Sequence, residues 1–192
     1  LILLLTPFIS GALLALFGHT KRAAEINAAG SLVTLLAAAP LAFEVVNDGP
    51  LLAFDQLFFV DPLNVFLILL TAFVGFTTAL FSRPYMRNEH AHGRLSSARL
   101  RLYHSMFQLF MGTMLVALST NNLGILWVAM EAATLTTVLL VALYRTPASL
   151  EAAWKYFILC GVGIAQALFG TILIYFAAER ILGHEGNALL WT

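Results

Sequence analysis

The chain alternates between short polar breaks and six mostly apolar stretches, at 1–18, 26–46, 63–81, 102–118, 123–144 and 152–178. A helix needs roughly 20 apolar residues to cross about 30 Å of hydrocarbon. Each stretch meets or approaches that length. Only 10% of the 192 residues are charged and 60% are apolar, whereas an average soluble domain carries roughly a quarter charged residues. So few charges leave a soluble surface uncovered, and so much apolar residue excludes intrinsic disorder. The formal net charge of +0 provides no broad field to hold nucleic acid. Cys160 is the single cysteine, which permits neither an internal disulfide nor a thiolate-bound cluster. The chain therefore reads as an all-α, polytopic membrane protein of about six transmembrane helices, with residues 1–192 forming one membrane domain.

The first stretch has no basic leader and no clear small-x-small cleavage site, so it reads as a span and not a signal peptide. The chain starts without Met, and we expect the natural N-terminus to lie upstream. Asp61-Pro62 predicts an N-cap followed by proline at the first helical position, and Thr146-Pro147 repeats the arrangement. Asn121-Asn122 suits a tight turn between the fourth and fifth spans. The segment 47–60, which opens on Asp48-Gly49-Pro50, suits a small hairpin at the membrane surface.

Orientation follows from the basic residues. Lys21 and Arg22 lie in the first loop, Arg83, Arg87, Arg94, Arg99 and Arg101 in the third, and Arg145 opens the fifth. Loops two and four have none, and the tail has Arg180. The positive-inside rule then puts loops one, three and five in the cytoplasm and both ends outside. The expected location is the cell inner (plasma) membrane.

Glu131 is out of place for a charge. It lies eight residues past Leu123, about 12 Å along a helix and so near mid-membrane. An ionised carboxylate there costs roughly 2.5–3.5 kcal/mol on insertion scales. Protonation or pairing with a cation relieves that penalty. A group open to both is suited to taking up and releasing protons. The plainer reading keeps Glu131 neutral and hydrogen-bonded to a neighbouring helix, with help from Thr134.

Lys155 has two readings as well. Counted from Ala152 it lies near the interface and snorkels to water. Counted from Pro147 it is about 12 Å into the helix, where it would form a buried ion pair. His104 and Gln108 are four apart and share a helix face. They suit a proton path toward the cytoplasm, or an interfacial histidine and an interhelical amide bond. Gln166 has the same two readings. Gly161, Gly163 and Gly170 point to close helix packing, since the pair around Val162 lacks the third glycine and the strand of a dinucleotide site. Glu89, His90 and His92 are expected in a hydrated basic loop and not around a metal.

The run Asn121-Asn122-Leu123-Gly124-Ile125-Leu126-Trp127-Val128-Ala129-Met130-Glu131-Ala132-Ala133-Thr134-Leu135 resembles the fifth-helix signature of the antiporter-like subunits of respiratory complex I. Glu151-Ala152-Ala153-Trp154-Lys155-Tyr156-Phe157 is similar to the opening of their sixth helix. Phe59-Val60-Asp61-Pro62-Leu63-Asn64 and Leu80-Phe81-Ser82-Arg83-Pro84-Tyr85-Met86 are similar to the boundaries of their third. The wording is nearest to the group-4 membrane-bound hydrogenases, hydrogenase-4 among them.

The resemblance implies the N-terminal part of an inverted-repeat fold, in a proton-translocating subunit of a redox-driven complex. It implies that Glu131 carries the proton and that Lys155 forms an ion pair that tunes it. The family's principal ion-pair lysine lies on a later, broken helix beyond Thr192, so the chain is expected to be a fragment. No cofactor is expected in this chain. Iron–sulfur clusters and a nickel–iron centre are expected in partner subunits, within a complex of other membrane and peripheral proteins in the bilayer. Related subunits also serve multisubunit sodium/proton antiporters and inorganic-carbon uptake complexes, which makes sodium a second candidate ion.

Overall fold

The computed structural model describes residues 1–18, 22–182 and 188–190. Six helices follow in order: α1 (Ile2–Phe17), α2 (Ala23–Asp48), α3 (Pro62–Ala91), α4 (Ser97–Ser119), α5 (Leu123–Val141) and α6 (Pro147–Leu182). Five are long and apolar enough to cross a membrane, and α1, at 16 residues, is shorter. The chain is a multi-pass, all-helical membrane protein, as the apolar runs predict.

The helix starts follow local chemistry. Asp61 caps α3, its Oδ1 accepting from the Asn64 amide at 2.7 Å, with Pro62 in the first turn. Thr146 Oγ1 accepts from the Ser149 amide at 3.1 Å as Pro147 opens α6. That start adds a turn and more before Ala152. Asn122 caps α5 by accepting from the Gly124 and Ile125 amides.

The predicted hairpin is present between α2 and α3. Strands β1 (Leu51–Ala53) and β2 (Phe58–Val60) pair antiparallel, with Leu51 opposite Val60 and Ala53 opposite Phe58. Phe54, Asp55 and Gln56 turn the chain with φ of 54°, 51° and 67°, a left-handed region that L-residues seldom enter. Outside contacts hold them there. The Asn121 side-chain amide donates to the Gln56 carbonyl at 2.9 Å, and its backbone N–H to Leu57 at 2.8 Å. Asn121 thus pins the hairpin, beyond the turn-forming role its sequence suggests.

Helices α3 and α4 extend past their apolar runs at the basic end. Helix α3 continues through Pro84 to Ala91, and α4 begins at Ser97, capped by Ser96. The reason is non-local. Arg83 and Arg87, on successive turns of α3, both pair with Glu25 at the start of α2, so the exposed extension has a partner to lie against.

Helix α4 is central, packing against α1, α2, α3 and α5, while α6 packs chiefly on α5. A dry cluster at the hairpin end joins Leu3, Ala38, Val45, Ile68 and Leu115. Lipid is as apolar as these side chains, so close approach and hydrogen bonding must favour association. Close approach centres on Gly30, Gly75 and Gly112: a Cβ on Gly30 would sit 2.5 Å from Ser10 Oγ, and one on Gly112 would meet the Phe8 ring at 3.0 Å. The expectation for Gly161, Gly163 and Gly170 is corrected. No described atom of another helix lies within 4 Å of where their Cβ would be, and Gly163 borders a gap between α5 and α6 beside Leu126 and Trp127.

Gly30→Ala is expected to destabilise the bundle by about 1–3 kcal/mol through overpacking, with part of the loss recovered by adding Ser10→Gly. Thermal unfolding in detergent measures both; a fully stable single variant would contradict the α1–α2 contact.

Candidate proton-handling site

Glu131 lies near the middle of α5, as its distance from Asn122 requires. It is half-buried. Among the described residues its carboxylate has no hydrogen bond or ion pair. Thr134 does not assist it: the hydroxyl is buried and donates to the Met130 carbonyl of its own helix at 3.0 Å.

Two bonds fix α6 against α5 on either side of this position. Trp127 Nε1–H donates to the Ile164 carbonyl at 2.8 Å, and the Thr137 and Tyr156 hydroxyls meet at 3.0 Å. This antiparallel register sets Glu131 level with Gly161. Lys155 is displaced along the axis by roughly 9 Å, toward Arg145. There Lys155 is exposed, and its Nζ donates to Glu151 at 2.5 Å, one turn earlier on α6. The structure therefore brings Lys155 to Glu151 and not to Glu131. Gln166 is exposed on α6.

His104 and Gln108 do share a buried face of α4, at 2% and 0% exposure. Gln108 Nε2 donates to the Asn27 carbonyl, the Asn27 Oδ1 and the Ser31 Oγ, each at 2.9 Å. These bonds join α4 to α2, the interhelical amide contact that the sequence leaves as one option. His104 packs edge-on against Tyr103, with ring centroids 5.1 Å apart, and its Nδ1 has no partner. It lines a cavity of about 390 Å³ that opens at the basic end beside Arg83, Arg87 and His90. A polar column thus runs inward from this cavity through His104 and Gln108 to Ser31. The apolar cluster around Ala38 and Leu115 closes it at the far side.

The partners of Gln108 escape a residue-by-residue reading, although a signal exists. Asn27, Ser31 and Thr34 recur at helical spacing inside an apolar run, marking one polar face of α2. Glu89 is also a correction. Instead of lying in a hydrated loop, it sits in the last turn of α3 at 5% exposure, ion-paired with Arg94 at 2.9 Å and accepting from Tyr144 Oη at 3.2 Å. His90 Nδ1 and the Leu95 carbonyl meet at 2.8 Å. Among the described residues no group of three or more His, Cys, Asp or Glu side chains is placed to hold a metal.

This bundle, with a carboxylate near the middle of its fifth helix, resembles the antiporter-like membrane subunits of respiratory complexes. Residues 120–182 match the family model described as NADH:quinone oxidoreductase/Mrp antiporter, TM. More particularly, the chain is 47% identical over 98% of its length to the hydrogenase-4 component F homolog of Methylacidiphilum infernorum (isolate V4), of which it covers 38%. It is 33% identical over 79% of its length to NADH-quinone oxidoreductase subunit N of Herminiimonas arsenicoxydans, covering 30% of that protein. The fold matches a chain in a structure of the membrane-bound sulfane sulfur reductase, an archaeal respiratory membrane complex. There the TM-score is 0.76 at 23% identity, over 93% of this chain and 37% of the other. The chain thus spans well under half the length of the relatives it matches.

Proposed function

We propose that this chain is the N-terminal part of a proton-translocating subunit in a redox-driven membrane complex, of the hydrogenase-4 or NADH dehydrogenase type. The observation that carries the proposal is the unpartnered Glu131 carboxylate at mid-depth of α5. A carboxylate among apolar helices is accommodated either by taking up a proton or by pairing with a cation, and a cation that approaches or withdraws changes the balance between the two.

Lys155 supplies a mobile cation in this scheme. In the present arrangement it is held by Glu151, and exchange of that carboxylate for Glu131 would load and unload the site. His104 and Gln108 serve as a feed from the basic end. The electrons move elsewhere, through iron–sulfur clusters and a nickel–iron centre in partner subunits; a chain with one cysteine offers no thiolate set for a cluster. All the basic loop residues among those described lie at one end of the bundle, where α1, α3 and α5 finish. That supports an inner-membrane orientation with this end cytoplasmic and the hairpin outside.

A second reading, a subunit of a multisubunit sodium/proton antiporter, is favoured by the matched family model, whose description covers both classes. Purification in mild detergent, subunit identification, metal analysis and reconstitution into vesicles separate the two. Accompanying nickel and iron–sulfur proteins, with acidification that ignores sodium, are the expected result. Sodium-dependent exchange without metalloprotein partners would overturn the redox-driven reading.

A further inference from the structure

At the basic end Arg83 and Arg87 share the single carboxylate of Glu25, and Arg94 pairs with Glu89. Arg99, Arg101 and Arg145 have no carboxylate partner among the described residues. These three line one concavity of about 550 Å³ between the end of α1, the start of α4 and the α5–α6 junction. Among the described residues no acidic side chain lines it.

Local structure brings each arginine to the concavity. Arg99 Nη1 donates to the Tyr144 carbonyl at 3.2 Å. The Arg101 stem lies against Gly18, where an added Cβ would meet its Cγ at 3.0 Å. Arg145 adopts φ 52° and ψ 28°, a left-handed conformation costing a non-glycine residue about 1–2 kcal/mol. Ala15, Leu102 and Met106 form the apolar part of the wall. On the last turn of α1, Leu16 and Phe17 are exposed.

We propose that this concavity binds the phosphate of an anionic phospholipid, with an acyl chain against the apolar wall. A cluster of unpaired guanidiniums at headgroup level favours a phosphodiester by bidentate bonding. Basic pockets between membrane helices on the cytoplasmic side are suited to such headgroups. The adjoining apolar wall favours an amphiphile over free phosphate, which would gain nothing from Leu102 and Met106.

The test uses the intact protein with its accompanying subunits, in vesicles carrying a photoactivatable phosphatidylglycerol. Labelling of the segment around Leu102 and Met106 is the readout, with unlabelled lipids as competitors. Phosphatidylglycerol should compete and phosphatidylcholine should not. The Arg101→Gln/Arg145→Gln variant should bind about thirtyfold more weakly, and Arg145→Gln alone about fivefold, from the attraction contributed by each arginine. Arg22→Gln, at the same membrane face but outside the concavity, should match the unaltered protein. Equal competition by phosphatidylcholine, or full labelling of the double variant, would overturn the proposal. Displacement of the label by millimolar inorganic phosphate would reassign the concavity to free phosphate and overturn it too.

Discussion

Glu131→Gln is expected to lower coupled proton transfer by about a hundredfold or more, the scale associated with losing a positioned acid–base group, while the complex assembles normally. The substitution preserves size and hydrogen-bonding capacity but removes the exchangeable charge. Because the carboxylate has no partner among the described residues, its neutral amide orphans none of them, and assembly should be spared. Proton uptake by vesicles containing the reconstituted complex measures the effect. Glu131→Asp should retain part of the activity, since the acid survives one methylene shorter. Full pumping by the glutamine variant would remove Glu131 from the mechanism. Lys155→Ala has a distinct signature: if Lys155 tunes the acid, the pH profile of transport shifts; if Lys155 serves only Glu151, transport is unchanged.

Gln108→Leu is expected to destabilise the protein by about 2 kcal/mol. The amide is wholly buried and donates to three acceptors on α2. The substitution leaves Asn27 Oδ1 without its donor in a buried interface where Asn27 Nδ2 already has no described partner, and an orphaned buried polar group costs about 1–3 kcal/mol. Against this, hydrogen bonds between membrane helices average only about 0.6 kcal/mol in double-mutant cycles. Stranding is the larger effect here because Asn27 has no exposed surface through which to recover water. The Ser31 hydroxyl still reaches the Asn27 carbonyl at 3.0 Å, which keeps the loss moderate. Adding Asn27→Leu should restore most of the stability by removing the stranded group. Unfolding in detergent tests both; a single variant as stable as the original would refute the contact. Transport by the doubly substituted protein then discriminates roles. If stability returns and proton transfer does not, the polar column conducts; if both return, Gln108 is a tie between helices.

The helices were legible because their signal is local. Twenty apolar residues in a row demand a buried or lipid-facing helix, and Asp61-Pro62 and Thr146-Pro147 announce their own caps. The hairpin was readable from its turn residues. The place of Glu131 near the middle of α5 followed from counting along the helix. Its degree of burial did not, because burial is set by which neighbours surround α5. The partner of Lys155 was in fact local. Glu151 stands at the favourable spacing one turn before it. Other features depend on residues far apart in sequence. Arg83 and Arg87 find Glu25 across two helices, and Gln108 finds Asn27 in the same way. Neither partner is specified by spacing. The α6 glycines show the converse problem: a pattern that signals tight packing does not state against what.

The hold on α6 has a mechanical consequence. Among the described residues it is gripped along one flank, with Trp127 and Thr137 as its two bonded anchor points. A body fastened that way is stiff along its length and compliant in swinging about the fastened edge. A sideways push on its outer flank is therefore delivered first between those anchors, at the height of Glu131, before it loads the four helices behind.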